Sequence, residues 1–447
     1  MSITKNDINK IIVFFVILIS YIAGYILREN AVGGGVEFYE LDWPITQSFK
    51  RDFLFTIQSY GSFGDGTIPF SHIINAYLNP FSNNVETFQL SVVAISFIIF
   101  LVFAFILKKI FSYINTTDIL LLSSMLLILP FFRTSAFWGK NENYGWLFFI
   151  LALYFFSEIK KNIYEAHNDK NLKNVLFFCF TSSCALYARQ ALIFLPISYF
   201  LFLFLNKVNK KIILTSVVWF TLFSIPGLLL IFTWGGLYDM KNVNTGTVYG
   251  LWVHHEYILK NLPILTSFFG FYLLPILIIE FFNYGYKDFF KKYSKSFFIA
   301  FAIFIILWQI NILNYLSSYT VAGGAILKLS YLIQKENFLL LLIFSSIGFS
   351  ILVQFFKEDT KNNLPILLPM IIIYGFPRLL YQEYVEPLIL IIFFLTINTN
   401  IKEIYFRNIS TSNFILIGYF GIYLIGSIYF KHFAFPSYDE WIIFLNK

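Results

Sequence analysis

The feature that limits this chain most is the recurrence of long apolar runs. About thirteen stretches approach the ~20 residues that a helix needs to cross a bilayer. They lie near 8–27, 88–107, 119–137, 144–157, 172–188, 190–206, 212–233, 263–282, 296–315, 338–356, 364–380, 384–398 and 413–430. A soluble chain of 447 residues that is 58% hydrophobic and only 13% charged could not bury that much surface, so its solvent must be lipid. Lipid offers no water to backbone N–H and C=O groups, so each run is expected to satisfy its own as a helix. The expected fold is all-α and polytopic, with about 11–13 transmembrane helices forming one transmembrane domain over residues 1–447.

Charge sets the expected orientation. Lys5 and Lys10 accompany the first run, and no small-residue cleavage site follows it. It reads as a retained signal-anchor with a cytoplasmic N-terminus. Lys160, Lys161, Lys170 and Lys173 precede the stretch from Leu172 to Leu205, and Lys207, Lys210 and Lys211 follow it. Both flanks want the cytoplasm, so the stretch is expected to cross twice and turn at Arg189. Lysines collected on the inner side account for the net charge of +7, and nucleic-acid binding is not needed to explain it. Cys179 and Cys184 share one apolar segment and read as small core residues. The Phe-, Ile-, Asn- and Lys-rich usage points to an AT-rich coding genome and a bacterial inner or plasma membrane.

The arginines break the lysine pattern. Of six, only Arg407 falls inside; Arg28, Arg51, Arg133, Arg189 and Arg378 fall on the outer side. A guanidinium grips phosphate or carboxylate through a planar fork, so the set suggests an anionic ligand there. Pairing with the outer carboxylates, or snorkelling to lipid head groups, explains any one of them at least as well.

The first extracytoplasmic loop, 28–87, is the richest in chemistry. It begins RENAVGGGVEFYELDWP, with the carboxylates Glu29, Glu37, Glu40 and Asp42 and three consecutive glycines that let it fold back. Ile45, Phe49, Phe53 and Ile57 then recur every fourth residue, which predicts an amphipathic helix lying on the outer leaflet. Pro44 suits its first turn, and Asp42 stands where an N-cap would, a role compatible with chemistry. Phe70 to Leu78 is apolar but too short to span, and is expected to dip into the interface.

Later outer segments add candidates. The second loop, 132–144, carries Arg133, Lys140 and Glu142. Arg189 and Gln190 form a nearly loopless corner. The loop 234–262 holds His254, His255 and Glu256, which lack the i, i+4 spacing of a zinc-binding HExxH helix. His255 is therefore read as a substrate hydrogen-bonding residue and no metal site is assigned. A corner near 377–387 gathers Arg378, Tyr381, Glu383, Tyr384 and Glu386, and reads as a pocket wall.

The layout resembles the GT-C glycosyltransferases, polytopic enzymes that use polyprenyl-phosphate sugars. In that group an acidic motif follows the first span and membrane-parallel helices come next; the matching positions are Glu37, Glu40 and Asp42, followed by Trp43 to Tyr60. Glu142 is similar to a second acidic residue in the next outer loop. Arg189-Gln190 resembles an Arg-Gln pair of the dolichyl-phosphate-glucose glucosyltransferases, and Arg378 to Tyr384 resembles a late Arg/Tyr corner. The chain departs from the pattern in having E-x-x-E-x-D in place of adjacent acids. The resemblance implies sugar transfer from a polyprenyl-phosphate donor to a cell-surface glycan or lipid-linked acceptor, on the extracytoplasmic side.

That chemistry needs a carboxylate to take the acceptor hydroxyl proton and cations to hold the leaving phosphate. Asp42 is the expected base, with Glu40 or Glu37 in reserve. Arg189 and Arg378 are expected on the phosphate, and Glu142 on the acceptor. No cofactor is required, because Arg and Lys can serve a monophosphate leaving group. Two alternatives stand beside this reading: an O-antigen-type polysaccharide polymerase, and a polytopic transporter or flippase.

Overall fold

A computed structural model describes residues 5–32, 34–64, 67–140, 142–164, 168–236, 256–309, 324–333, 338–377 and 380–445. The described residues are predominantly helical, with no strand among them. Among the described residues, six helical segments are long and apolar enough to cross a membrane: Asp7–Ile26, Val85–Ile110, Lys210–Trp234, Tyr257–Gln309, Leu339–Glu358 and Ile409–Phe433. Many expose apolar side chains that only lipid can satisfy, such as Val16 and Ile19 on the first and Leu229 and Phe232 on the third. The protein is a multi-pass integral membrane protein.

Two of the expected spans are broken. Thr116–Leu127 and Pro130–Phe137 meet at 69°, and Gln382–Leu395 and Asn400–Arg407 meet at 85°. Pro130 explains the first, since the residue before a proline is driven out of the helical region. At the second, Thr399 starts a new helix by accepting from Ile401 N.

The chain divides into two compact units. The first comprises Met1–Leu18, Phe111–Phe131 and Val253–Lys447. Here Glu256–Gln309 is two helices that double back at Gly285, whose φ of 76° and ψ of 166° suit glycine alone. The reversal is visible in side chains. Tyr293 donates to Glu280 at 2.6 Å, across a stretch that would measure about 20 Å as straight helix. Lys292 closes the turn by pairing with Glu280 at 2.8 Å and Glu358 at 2.7 Å. Gly270 and Gly348 let this hairpin touch the Leu339–Glu358 helix backbone to backbone; a Cβ on Gly348 would strike the Thr266 carbonyl. Lys10 and Asp118, both buried, pair at 2.8 Å.

The second unit comprises Ile19–Ile110 and Phe132–Trp252. Its Asn168–Ala188 and Phe194–Leu205 helices form the expected hairpin: Arg189 is extended between them, and the Phe178 and Tyr199 rings meet at 4.5 Å. The amphipathic helix is present but interrupted. Trp43–Arg51 stops at Asp52, and Phe53–Gln58 starts there. Asp52 is the N-cap, accepting from Phe55 N at 2.9 Å, whereas Asp42 makes no capping hydrogen bond. The apolar face buries Ile45, Phe49 and Tyr60 against Trp234, with the Tyr60 and Trp234 rings stacked at 5.6 Å.

Candidate functional site

Three short helical pieces run on without a break through the acidic loop: Gly35–Glu37, a π-helical turn Phe38–Asp42, and Trp43–Arg51. The wide turn has a local cause. Pro44 has no N–H for the Glu40 carbonyl, and its ring would collide with that oxygen in a regular α-turn. The chain relaxes by widening, and Trp43 N donates to Phe38 O instead. This turn sets the directions of the acids. Glu37 and Glu40 are exposed, while Asp42 is turned inward and is 8% exposed.

Asp42 meets a histidine that the sequence did not mark. Its Oδ1 lies 4.0 Å from Nε2 of His72, which is fully buried on the Phe70–Tyr77 helix. His72 Nδ1 lies 3.4 Å from the Thr46 hydroxyl, one turn along from Asp42. If Thr46 donates to Nδ1, the ring's N–H faces the carboxylate. The short apolar helix thus holds its polar side inward, with Ser71, His72 and Asn75 all buried.

A second cluster surrounds Lys140, which is 2% exposed. Its ammonium lies 2.5 Å from Glu37 and 3.7 Å from Glu142. The left-handed Gly139, at φ 68°, turns the chain so that Lys140 points back at the glycine loop. Gly34 packs on the Lys140 stem, and Gly35 lies under the Trp138 ring, where an added Cβ would sit 3.0 Å from it. The two clusters are linked: Tyr144, just past Glu142, donates at 2.6 Å to Asn75, one turn after His72.

Other expected residues serve the fold or stand apart. Arg133 is held by both oxygens of Glu29, at 2.8 and 2.6 Å, and by the Ser20 carbonyl at 2.9 Å, so its fork is engaged in fastening the loop. Arg189 runs its stem across Gly145 and lays its guanidinium on the Trp146 ring at 4.5 Å; Gln190 follows on a 3₁₀ turn. Glu40 makes no hydrogen bond or ion pair among the described residues. His255 and Arg378 lie outside the described residues.

Tyr381, Glu383 and Tyr384 belong to the other unit and are half-buried, the two rings edge to face at 5.5 Å. Their neighbours Gln382 and Glu386 are the buried groups of that corner. Glu386, 0% exposed, accepts from Phe131 N at 2.7 Å, Tyr423 at 3.0 Å and Tyr272. Gln382 donates to Tyr423 at 2.7 Å and to Tyr272, and accepts from Ala325 N. Spacing one or four residues apart on this turn was the only sequence signal for the pair, and it did not separate them from the half-buried residues between.

The chain matches no protein-family model, no curated protein and no solved structure.

Proposed function

We propose that this protein is a GT-C-type membrane glycosyltransferase that moves a sugar from a polyprenyl-phosphate donor to a glycan or lipid-linked acceptor. The observation that carries the reading is the inward turn of Asp42 toward His72, on the loop that follows the first span. A carboxylate in a sheltered, polar setting can take a hydroxyl proton as the acceptor attacks, and the imidazole can orient it or share the charge. Among the three candidate acids this favours Asp42 as the base, over the exposed Glu40 and the Lys140-paired Glu37. Glu142 would hold the acceptor, and Arg189 with Arg378 the leaving phosphate. The active site would face the extracytoplasmic side of a bacterial membrane.

The test is turnover by purified protein in nanodiscs, given polyprenyl-phosphate sugars and read as release of polyprenyl phosphate. Wild type should release it, and Asp42→Asn should do so at least ~100-fold more slowly with its melting temperature preserved. Full rate in Asp42→Asn would remove it as the base. No release by wild type with any donor and acceptor tried would count against transfer.

A transporter is the second reading, and a specific observation favours it. Two apolar spans are broken, and the buried carboxylate of Glu386 accepts from Phe131 N, just past the first break. Discontinuous helices around a buried charge are a habit of transporters. Substrate uptake by proteoliposomes, with no chemical change to the substrate, would decide for it.

A further inference from the structure

The first helix ends in a turn that normally takes glycine. Glu29 N donates to Gly24 O at 2.8 Å, and Arg28 sits between them with φ 53°. Lys207 makes the same kind of turn, with φ 50° and Val208 N on Leu203 O, so the turn alone is only a helix stop. Arg28 differs in what its side chain borders. With Tyr25, Glu86, Gln89, Phe137 and Trp138 it lines a cavity of about 200 Å³. Gln89 is 7% exposed, and its amide nitrogen has no hydrogen-bond partner among the described residues. A buried donor left unpaired is unfavourable unless a ligand completes it.

We propose that this cavity binds a single neutral sugar ring. A volume of about 200 Å³ leaves room for one ring, and the cavity opens on one side. Arg28 only donates, Glu86 only accepts, and Gln89 does both, a set that matches hydroxyls able to play either part. Tyr25, Phe137 and Trp138 offer ring surfaces for the C–H face of a sugar. An anion fits less well. Glu86 opposes Arg28, and the C-terminal end of the first helix adds partial negative charge. Ile22, Ile26 and Leu27 expose apolar surface beside the turn, so a ring carried on a lipid has a path to it. The assignment builds on the transferase reading by naming where a sugar is held.

Binding is the readout, measured by ligand-observed NMR on protein in nanodiscs free of glycoside detergent. The probes are methyl glycosides of hexoses and N-acetylhexosamines, a prenyl-phosphoryl hexose, and inorganic phosphate. At least one ring should bind with millimolar or better affinity. Gln89→Leu and Glu86→Gln should each weaken it at least tenfold. Arg28→Gly should weaken it too while the melting temperature holds or rises, because glycine takes the left-handed turn freely. Tighter binding of the prenyl-phosphoryl form identifies a lipid-linked donor as the source, and equal binding identifies a free glycan end. The proposal is overturned if no ring binds, if Gln89→Leu binds as well as wild type, or if phosphate alone binds through Arg28. Asp42→Asn should bind sugar normally. Lost turnover with intact binding therefore bears on the transferase reading, and lost binding bears on the cavity.

Discussion

Arg133 illustrates how a residue that looks ligand-directed can be fully employed by its own fold. It is 1% exposed, and both prongs of its fork are on Glu29. Arg133→Met would leave that carboxylate unpaired inside the protein and should cost about 3–5 kcal/mol, read as a lower melting temperature in detergent. Arg133→Lys should recover only part, since an ammonium cannot hold two oxygens and the Ser20 carbonyl in one plane. Lys328 behaves in the opposite sense. It lies on Gly324–Ile333, a ten-residue helix too short to cross a bilayer. Burial, and then the charge of Lys431, pull its pKa down from 10.5 to about 8 against the pull of Glu386 and Glu383. Between those pH values the unfolded chain keeps a proton that the folded chain has released, so stability rises with pH across the window. Below about pH 8 the charged amine opposes folding. Lys328→Met should therefore raise the melting temperature at pH 7, and the gain should vanish as pH approaches 10.5.

At the scale of elements, close backbone contact decides what can be changed. The hairpin that turns at Gly285 meets the Leu339–Glu358 helix where Gly348 faces Thr266 and Gly270. Neither helix can yield without breaking its own hydrogen bonds, so Gly348→Val should destabilise by about 3 kcal/mol. Gly418, with nothing near it, should tolerate the same change in a parallel thermal-melt measurement. The helices themselves were legible, since each expected span overlaps helix among the described residues. Their breaks were not. Periodicity placed one amphipathic helix through Trp43 to Tyr60, but Asp52 both ends one piece and caps the next. An aspartate inside a periodic pattern reads as one more polar-face residue until the chain's path shows which N–H it meets.

At the scale of the molecule, hydropathy and charge predict a membrane protein with its acidic loop outside. Cys179 and Cys184 are both buried and free, so the native chain should be nearly silent to an impermeant maleimide. That background permits a direct test of sidedness. Ser62→Cys, exposed on the first loop, should label in intact cells. Lys211→Cys, exposed in the first turn of the Lys210–Trp234 helix, should label only after permeabilisation. The reverse result would invert the topology and move the Asp42 cluster to the cytoplasmic face.

The sequence by itself determined that the chain is helical and membrane-embedded, because lipid judges each segment by its own side chains. It also marked the acidic loop, since carboxylates stand out in an apolar chain. Tertiary structure alone decided which acids are buried and what they meet. Asp42 turns inward because Pro44 widens one turn and His72 arrives from another helix. Glu386 is satisfied by Phe131, Tyr272 and Tyr423, separated from it by 255, 114 and 37 residues. A buried charge must find its donors in space, and neighbours in sequence do not reveal them.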